Sequence, residues 1–462
     1  MKYVISIILA ILTFSCKTSQ KDNSTKTYFG GEIINPKTNF VVFLKDDKVI
    51  DTLILDKNNR FLNNYNSLNE GLYTFKHGNE FQYIYLKPTD SVLVRLNTWD
   101  FDKSLVYSGK GSAKNEFLIN LFLQNIKEER EIYQYFSLNE SEFQRKIDSL
   151  SNERVAIYND FSTTEAEISE GFKKLTSTAI HYPLYRLKEM YPYYYKRFHK
   201  LAKFPIISND FYNFRNNISL NEENLTSFYP YQNYVISYLY NLSYQLKEND
   251  SSKNNITVNI LNSTIENIDS EEFRNMLLKK FIVNDFLKSE STCSINKKAL
   301  DIFLKNCSNQ LYITQVKNLV NDSKYVSNNE PLHNFEIVSY NNTNTTIKDI
   351  TKDRNSVIYF WSTSFMSSDY LVSRIKYLEN KYPNILFIGI NIETSFEDIT
   401  SEPNLKLLDI TKQFKLTKDS FAHNYLTSKY PRTIIINNNS EVENGFTYLN
   451  SKKLNSELNK LK

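Results

Sequence analysis

Glycine and proline are scarce in this chain, with 9 and 10 among 462 residues. Its turns are therefore written largely in Asn, Asp and Ser. Cysteine occurs three times, as Cys16, Cys293 and Cys307, at spacings that match no redox or metal motif. The five histidines (His77, His181, His199, His333 and His423) are scattered without Asp, Glu or Cys at ligand spacing. That argues against a metal site and against a nucleophile–histidine pair. No motif asks for a cofactor, and no internal repeat is present. Neither sign of charge dominates: 56 Lys and Arg against 52 Asp and Glu leave a formal +4, too little to imply nucleic acid or a polyanionic substrate. What the chain has in quantity is aromatic, with 33 Tyr and 31 Phe, and 41% of residues are hydrophobic. A sizeable core is affordable, and the length corresponds to roughly two to four domains. The excess of Asn, Lys, Ile and Tyr reads as a codon bias without functional weight.

The opening MKYVISIILAILTFSC is a processing signal. Lys2 is a short positive start, and Val4 to Phe14 is an apolar run too short to span a bilayer. The run ends on Ser15-Cys16 before the polar KTSQKDNSTK, which resembles a bacterial lipoprotein signal, although Thr13 and Phe14 stand where leucine and a small residue are usual. The resemblance implies a signal peptide over 1–15, lipidation of Cys16, a tether over 16–26, and a mature protein anchored in the cell envelope, on its periplasmic face or outer-membrane surface. A plain secretory signal is the alternative. Cys293 and Cys307 flank NKKALDIFLKN, which reads as a helix. Such a helix holds its ends about 20 Å apart, beyond the roughly 7 Å limit for bridged Cα atoms, so two free, buried thiols are favoured over a disulfide.

Residues 27–108 read as an all-β domain. NFVVFL (39–44), LYTF (72–75), FQYIYL (81–86) and SVLVRL (91–96) are short runs between tight turns, as in an antiparallel sandwich or small barrel. Residues 109–327 switch to helical period, with stretches at 115–136, 141–160, 164–190, 231–247, 270–288 and 296–322. Within this all-α region EMYPYYYKRFHKLAKFP (189–205) mixes rings and cations. The reading adopted is packed tyrosines beside solvated lysines, not a nucleic-acid or membrane surface. Residues 331–462 are α/β: SVIYFW (356–361) and NILFIGINI (384–392) are continuous apolar strands of the kind a parallel sheet buries, with the helix SSDYLVSRIKYLENKY between them. A helical stretch near 419–428, the strand YPRTIIIN (430–437), EVENGFTYL (441–449) and a terminal helix follow.

That order resembles the thioredoxin fold, and specifically the envelope-anchored thioredoxin-like disulfide reductases related to cytochrome-maturation proteins. The segments carrying the likeness are PLHNFEIVSY, the strand ending Tyr359-Phe360-Trp361, the turn and helix after it, and SKYPRTIIINNNSEV. With the signal, β-domain and helices ahead of it, the whole resembles multidomain thioredoxin-like lipoproteins of Bacteroidetes-type bacteria. In the family the turn reads Trp-Ala-Thr/Ser-Trp-Cys-x-x-Cys. Here Trp361, Ser362, Thr363 and Ser364 take the first four places, and Phe365 and Ser368 take the two sulfur positions. Phenylalanine has no nucleophile and serine forms no disulfide, so thiol–disulfide exchange has no chemistry here. The resemblance further implies a cis peptide at Pro431 and a groove for an extended chain, with Trp361, Phe365, Met366, Tyr430 and Pro431 as candidates, while Ser367 or Ser368 suits a helix N-cap. The expected function is a redox-inactive thioredoxin-like envelope lipoprotein that binds proteins or peptides. Two alternatives are thiol–disulfide exchange through Cys293 and Cys307 or a partner's thiols, and a surface accessory in nutrient capture.

Overall fold

The structure, a computed structural model, describes residues 26–129, 131–165, 167–249, 254–288, 296–363, 366–392, 405–428, 432–451 and 453–461. Two compact units are present: Met1–Tyr135 with Arg145–His181, and Phe136–Gln144 with Tyr182–Lys462.

The first unit is built on eight strands: β1 (Thr27–Ile34), β2 (Phe40–Lys45), β3 (Lys48–Ile54), β4 (Arg60–Tyr65), β5 (Gly71–His77), β6 (Glu80–Leu86), β7 (Ser91–Asn97) and β8 (Val106–Lys110). They form two four-stranded sheets, ordered β4-β1-β7-β8 and β3-β2-β5-β6. Both contribute to a single core in which Phe29 of β1 meets Phe43 of β2 and Phe75 of β5 at ring separations of 5.0 and 5.7 Å. The expected sandwich is therefore present, with one departure from the antiparallel expectation. β1 and β7 pair in parallel, from Tyr28 opposite Ser91 to Ile34 opposite Asn97. The other sheet lies between them in sequence, so a crossover replaces the hairpin that an antiparallel neighbour would use. The close approach needs Gly31, where a Cβ would sit 2.1 Å from the Val94 carbonyl oxygen.

Helix α1 (Ser112–Glu129) is pinned to β6 by Asn115, whose side chain accepts from Tyr85 N at 2.6 Å and donates to Tyr85 O at 2.9 Å. Helices α2 (Glu140–Thr164) and α3 (Glu170–Phe198) each contribute to both units. The second unit continues with α4 (Tyr229–Asn249), α5 (Ile256–Asn267), α6 (Glu271–Lys288), α7 (Lys297–Asn306) and α8 (Gln310–Ser323). Two points differ from the sequence reading. ITVNILNSTIEN forms α5 despite its β-branched residues, because Val258, Ile260 and Leu261 are buried and Asn255 caps the Val258 N–H at 2.9 Å. The stretch 296–322 is two helices, broken at Cys307-Ser308-Asn309, where Asn309 caps α8 by accepting from Tyr312 N at 3.1 Å.

The C-terminal region holds β9 (Glu336–Ser339), β10 (Asn344–Thr346), α9 (Ile347–Thr351), β11 (Ser356–Trp361), α10 (Ser368–Lys381), β12 (Leu386–Asn391), β13 (Gln413–Leu416), β14 (Arg432–Ile436), β15 (Val442–Thr447) and α11 (Leu454–Leu458). They make one seven-stranded sheet, ordered β10-β9-β13-β12-β11-β14-β15. β11 is parallel to β12 and antiparallel to β14, and β15 is antiparallel to β14. Every residue of β11, β12 and β14 is buried, which is why SVIYFW and NILFIGINI read as long apolar runs. Leu371, Ile375 and Leu378 of α10 pack with Tyr382 on Val357, Tyr359 and Phe387, the face expected from their spacing. β13, parallel to β12 and antiparallel to β9, was not anticipated, and the helical stretch near 419–428 is a 3-10 turn at Phe421–Tyr425. The segment leading into the region pairs with the chain entering β15: Asn329 N donates to Val442 O at 2.8 Å, Val442 N to Glu330 O at 2.9 Å, and Leu332 N to Ser440 O at 2.9 Å. Among the described residues no helix is long and apolar enough to cross a membrane.

Candidate functional site

The turn singled out in the sequence leaves β11 at Trp361 and enters α10 at Ser368. Met366 N donates to Ser362 O at 3.2 Å, closing the turn, and Leu371 N bonds to Ser367 O at 3.0 Å. Ser367 is the N-cap residue by backbone geometry, but its hydroxyl makes no capping bond. The first helical turn gains instead from exposed Asp369 beside the positive end of the helix dipole. Ser368 is buried at 5% exposure. Trp361 is 2% exposed and lies in the core with Leu371 and Tyr359, so its ring faces the interior; Met366 packs half-buried on the same core. Phe365, Tyr430 and Pro431, including the expected cis bond, lie outside the described residues, as do Cys16 and Cys293.

Cys307 ends α7 as a free, buried thiol. Burial pushes its pKa up, against the thiolate that exchange needs. Beyond it the sequence has no cysteine from residue 308 to 462. Among the described residues, no group of three His, Cys, Asp or Glu side chains is placed to hold a metal ion.

Sequence reading passed over the strongest polar feature near the turn. Arg432, the residue after Pro431, is buried with its charge, and so is Asp322 of α8; Arg432 Nη2 and Asp322 Oδ2 are 3.0 Å apart. The same carboxylate accepts from Thr427 N at 3.1 Å, Thr427 Oγ1 at 2.5 Å and Ser428 N at 3.0 Å. Arg432 Nη1 donates to Tyr425 O, and the guanidinium lies 4.0 Å from the Phe446 ring centre. Burial pulls the Arg432 pKa down, and Asp322 opposes that pull. Asp322 thus fixes the chain at 427–428 and Arg432, on either side of residues 429–431. A local signal did exist: an arginine entering a fully apolar strand must find a counter-charge. Its partner, 110 residues away, had none.

A second buried contact links β13 to β11 across β12. Gln413 Nε2 of β13 donates to the Tyr359 hydroxyl of β11 at 2.8 Å, and Gly389 of β12 leaves the room. A Cβ at Gly389 would stand 2.0 Å from Gln413 Oε1 and 2.7 Å from the Tyr359 oxygen. Burial raises the Tyr359 pKa far above its ordinary value, so the phenol stays neutral.

The strand–helix–strand unit β11-α10-β12, joined through β14 to an antiparallel hairpin and a terminal helix, gives the C-terminal region a thioredoxin-like fold. No protein-family model matches the sequence, and a comparison with curated proteins finds no match. Solved structures resemble part of the chain. The thioredoxin domain of a thiol-disulfide oxidoreductase from Bacteroides vulgatus shares 14% identity over 29% of this chain and 98% of its own, with a TM-score of 0.24. A thiol-disulfide oxidoreductase from Bacteroides fragilis shares 13% over 29% of this chain and all of its own, with a TM-score of 0.25. A thiol:disulfide interchange protein from a Bacteroides species shares 15% over 26% of this chain and 80% of its own, with a TM-score of 0.21. Likenesses this distant transfer no activity, and the fold assignment rests on the strand order.

Proposed function

We propose that the protein is a thioredoxin-like envelope lipoprotein, anchored through Cys16, that binds extended protein or peptide segments and does not exchange disulfides at its 361–368 turn. One observation carries this reading: the thioredoxin-like region has no sulfur nucleophile, since no cysteine lies between 308 and 462 and the family's two sulfur positions hold Phe365 and Ser368. The nearest thiol in sequence, Cys307, is buried. A turn that keeps its helix and its supporting core while lacking thiols retains a backbone surface for pairing with an extended chain. Met366, half-buried beside that turn, adds an apolar contact.

The test combines two assays on the full mature chain. Insulin reduction with dithiothreitol should not exceed the uncatalysed rate, and Cys307→Ser should change nothing. Binding of extended peptides, followed by fluorescence anisotropy, should saturate and be lost in Phe365→Asp. Catalysed insulin reduction that disappears in Cys293→Ser or Cys307→Ser would overturn the reading in favour of exchange.

A further inference from the structure

The aromatic and basic stretch at 189–205 ends α3 and runs into the loop beyond it. Part of it is core: Tyr191 is 1% exposed and packs on Phe143 at 4.4 Å between ring centres. The rest has another arrangement. Tyr193 and Phe204, with Tyr244 of α4, line two cavities at once. Tyr244 is the hub, 4.9 Å from Tyr193 in a stacked pair and 5.7 Å from Phe204. The outer cavity, about 670 Å³, has Lys196, Arg197, Lys200, Lys203 and Lys247 on its wall. The inner cavity, about 360 Å³, reaches Glu189, Asn241 and Asn284. Both volumes fall in the range of small-molecule sites.

Against its five cations the outer wall offers one carboxylate, Glu248, which is already engaged. Glu248 Oε1 accepts from Lys196 Nζ at 2.8 Å and Oε2 from Phe204 N at 3.3 Å, so the carboxylate fastens the loop to the end of α4. The hydrogen bond from Lys196 holds the Glu248 carboxyl below its ordinary pKa. Arg197, Lys200, Lys203 and Lys247 are exposed and form no salt bridge among the described residues. This wall carries a positive surplus as large as the formal +4 of the whole chain. Further in, Glu189 is neutralised by Arg215, with Nε to Oε1 at 2.8 Å, and bonded by Asn241 Nδ2 at 2.7 Å, so it does not repel an anion at full strength.

We propose that the two cavities form one binding site for a small anionic molecule with a ring-shaped body. A phosphate, sulfate or carboxylate group sits among the exposed cations of the outer wall, and the ring lies against Tyr193, Phe204 and Tyr244. Cation–anion attraction then selects the end of the ligand, and aromatic contact selects its body. None of these residues belongs to the 361–368 turn, so the site stands whether or not that turn binds peptides.

The probe is 1-anilinonaphthalene-8-sulfonate, titrated into the full mature chain and followed by fluorescence. Uncharged N-phenyl-1-naphthylamine serves as its counterpart. The sulfonate should bind saturably with one equivalent and weaken as salt is raised. It should lose at least about tenfold in affinity, a difference of roughly 1.4 kcal/mol, in both Arg197→Glu/Lys200→Glu and Lys247→Glu. These side chains are exposed and unpaired, so the thermal transition of the variants should match the parent's. Unchanged affinity in the charge-reversed proteins overturns the proposal, and so does equally tight binding of the neutral dye.

Discussion

Replacing Asp322 with alanine should unsettle the C-terminal region more than any surface change can. The carboxylate accepts four hydrogen bonds, from Thr427 N, Thr427 Oγ1, Ser428 N and Arg432 Nη2, and neither it nor the guanidinium reaches solvent. The alanine leaves a buried cation without its counter-charge and strands two backbone N–H groups. Losing one member of such a pair costs about 3–5 kcal/mol. Removing both charges at similar volume, as Asp322→Leu/Arg432→Met, should cost less than the single change, because it removes the orphaned cation while leaving the same two N–H groups without their acceptor. Urea unfolding measures this in a Trp99→Phe background: Trp99 is 77% exposed and Trp361 is 2% exposed, so the remaining fluorescence reports on the C-terminal core. The midpoint should fall with the slope unchanged. The reasoning is refuted if Asp322→Ala costs less than about 1 kcal/mol, or if the double variant is as unstable as the single one.

Other outcomes follow from the same packing. Gly389→Ala forces a methyl into the Tyr359–Gln413 contact and should lower the same transition by about 1–3 kcal/mol. His77 is buried with Nε2 accepting from Lys37 N at 2.9 Å and Nδ1 facing Phe40 O at 3.0 Å, an arrangement that only the neutral ring satisfies. Burial therefore holds its folded pKa below the ordinary 6.5. The unfolded chain takes up the proton first, so this contribution is complete above about pH 6.5 and is lost as pH falls below it. Thermal unfolding should show a drop towards about pH 5.5 that is shallower in His77→Gln. Phe75→Ala, at the centre of the sandwich core, should cost about 3–5 kcal/mol in the unfolding of the first unit by calorimetry. Cys307 should resist an aromatic disulfide reagent in the folded chain and react at once in denaturant.

How much of this was legible depended on how local each feature's cause is. SVIYFW, NILFIGINI and RTIIIN announce buried strands because both their faces are covered, and α10 shows its inner face through Leu371, Ile375 and Leu378. The missing thiols needed only the sequence. β13 was missed because QFKL is four residues long and takes its partners from β12 and β9. α5 was missed because Ile, Thr and Val favour strands in isolation, and burial in the helical layer overrides that preference. The break at 307–309 escaped because Cys-Ser-Asn lacks glycine and proline, the usual stop signals. At the candidate site the turn was found by its order of residues. The Asp322–Arg432 pair was not, since nothing near Asp322 distinguishes it from any other helical aspartate.

The segment 329–332 looks, in sequence, like a link between helices and sheet. Its bonds to Val442 and Ser440 make it something more: a cover over the start of the outer strand of the seven-stranded sheet. An uncovered strand edge is a template for any extended chain, including a second copy of the same protein. On this side the start of the template is already taken. The opposite border is β10, only three residues long, which offers little to pair with. A fragment cut after residue 332 would uncover the start of the β15 border and lose Asp322 in the same stroke, and is expected to associate more readily than the whole chain.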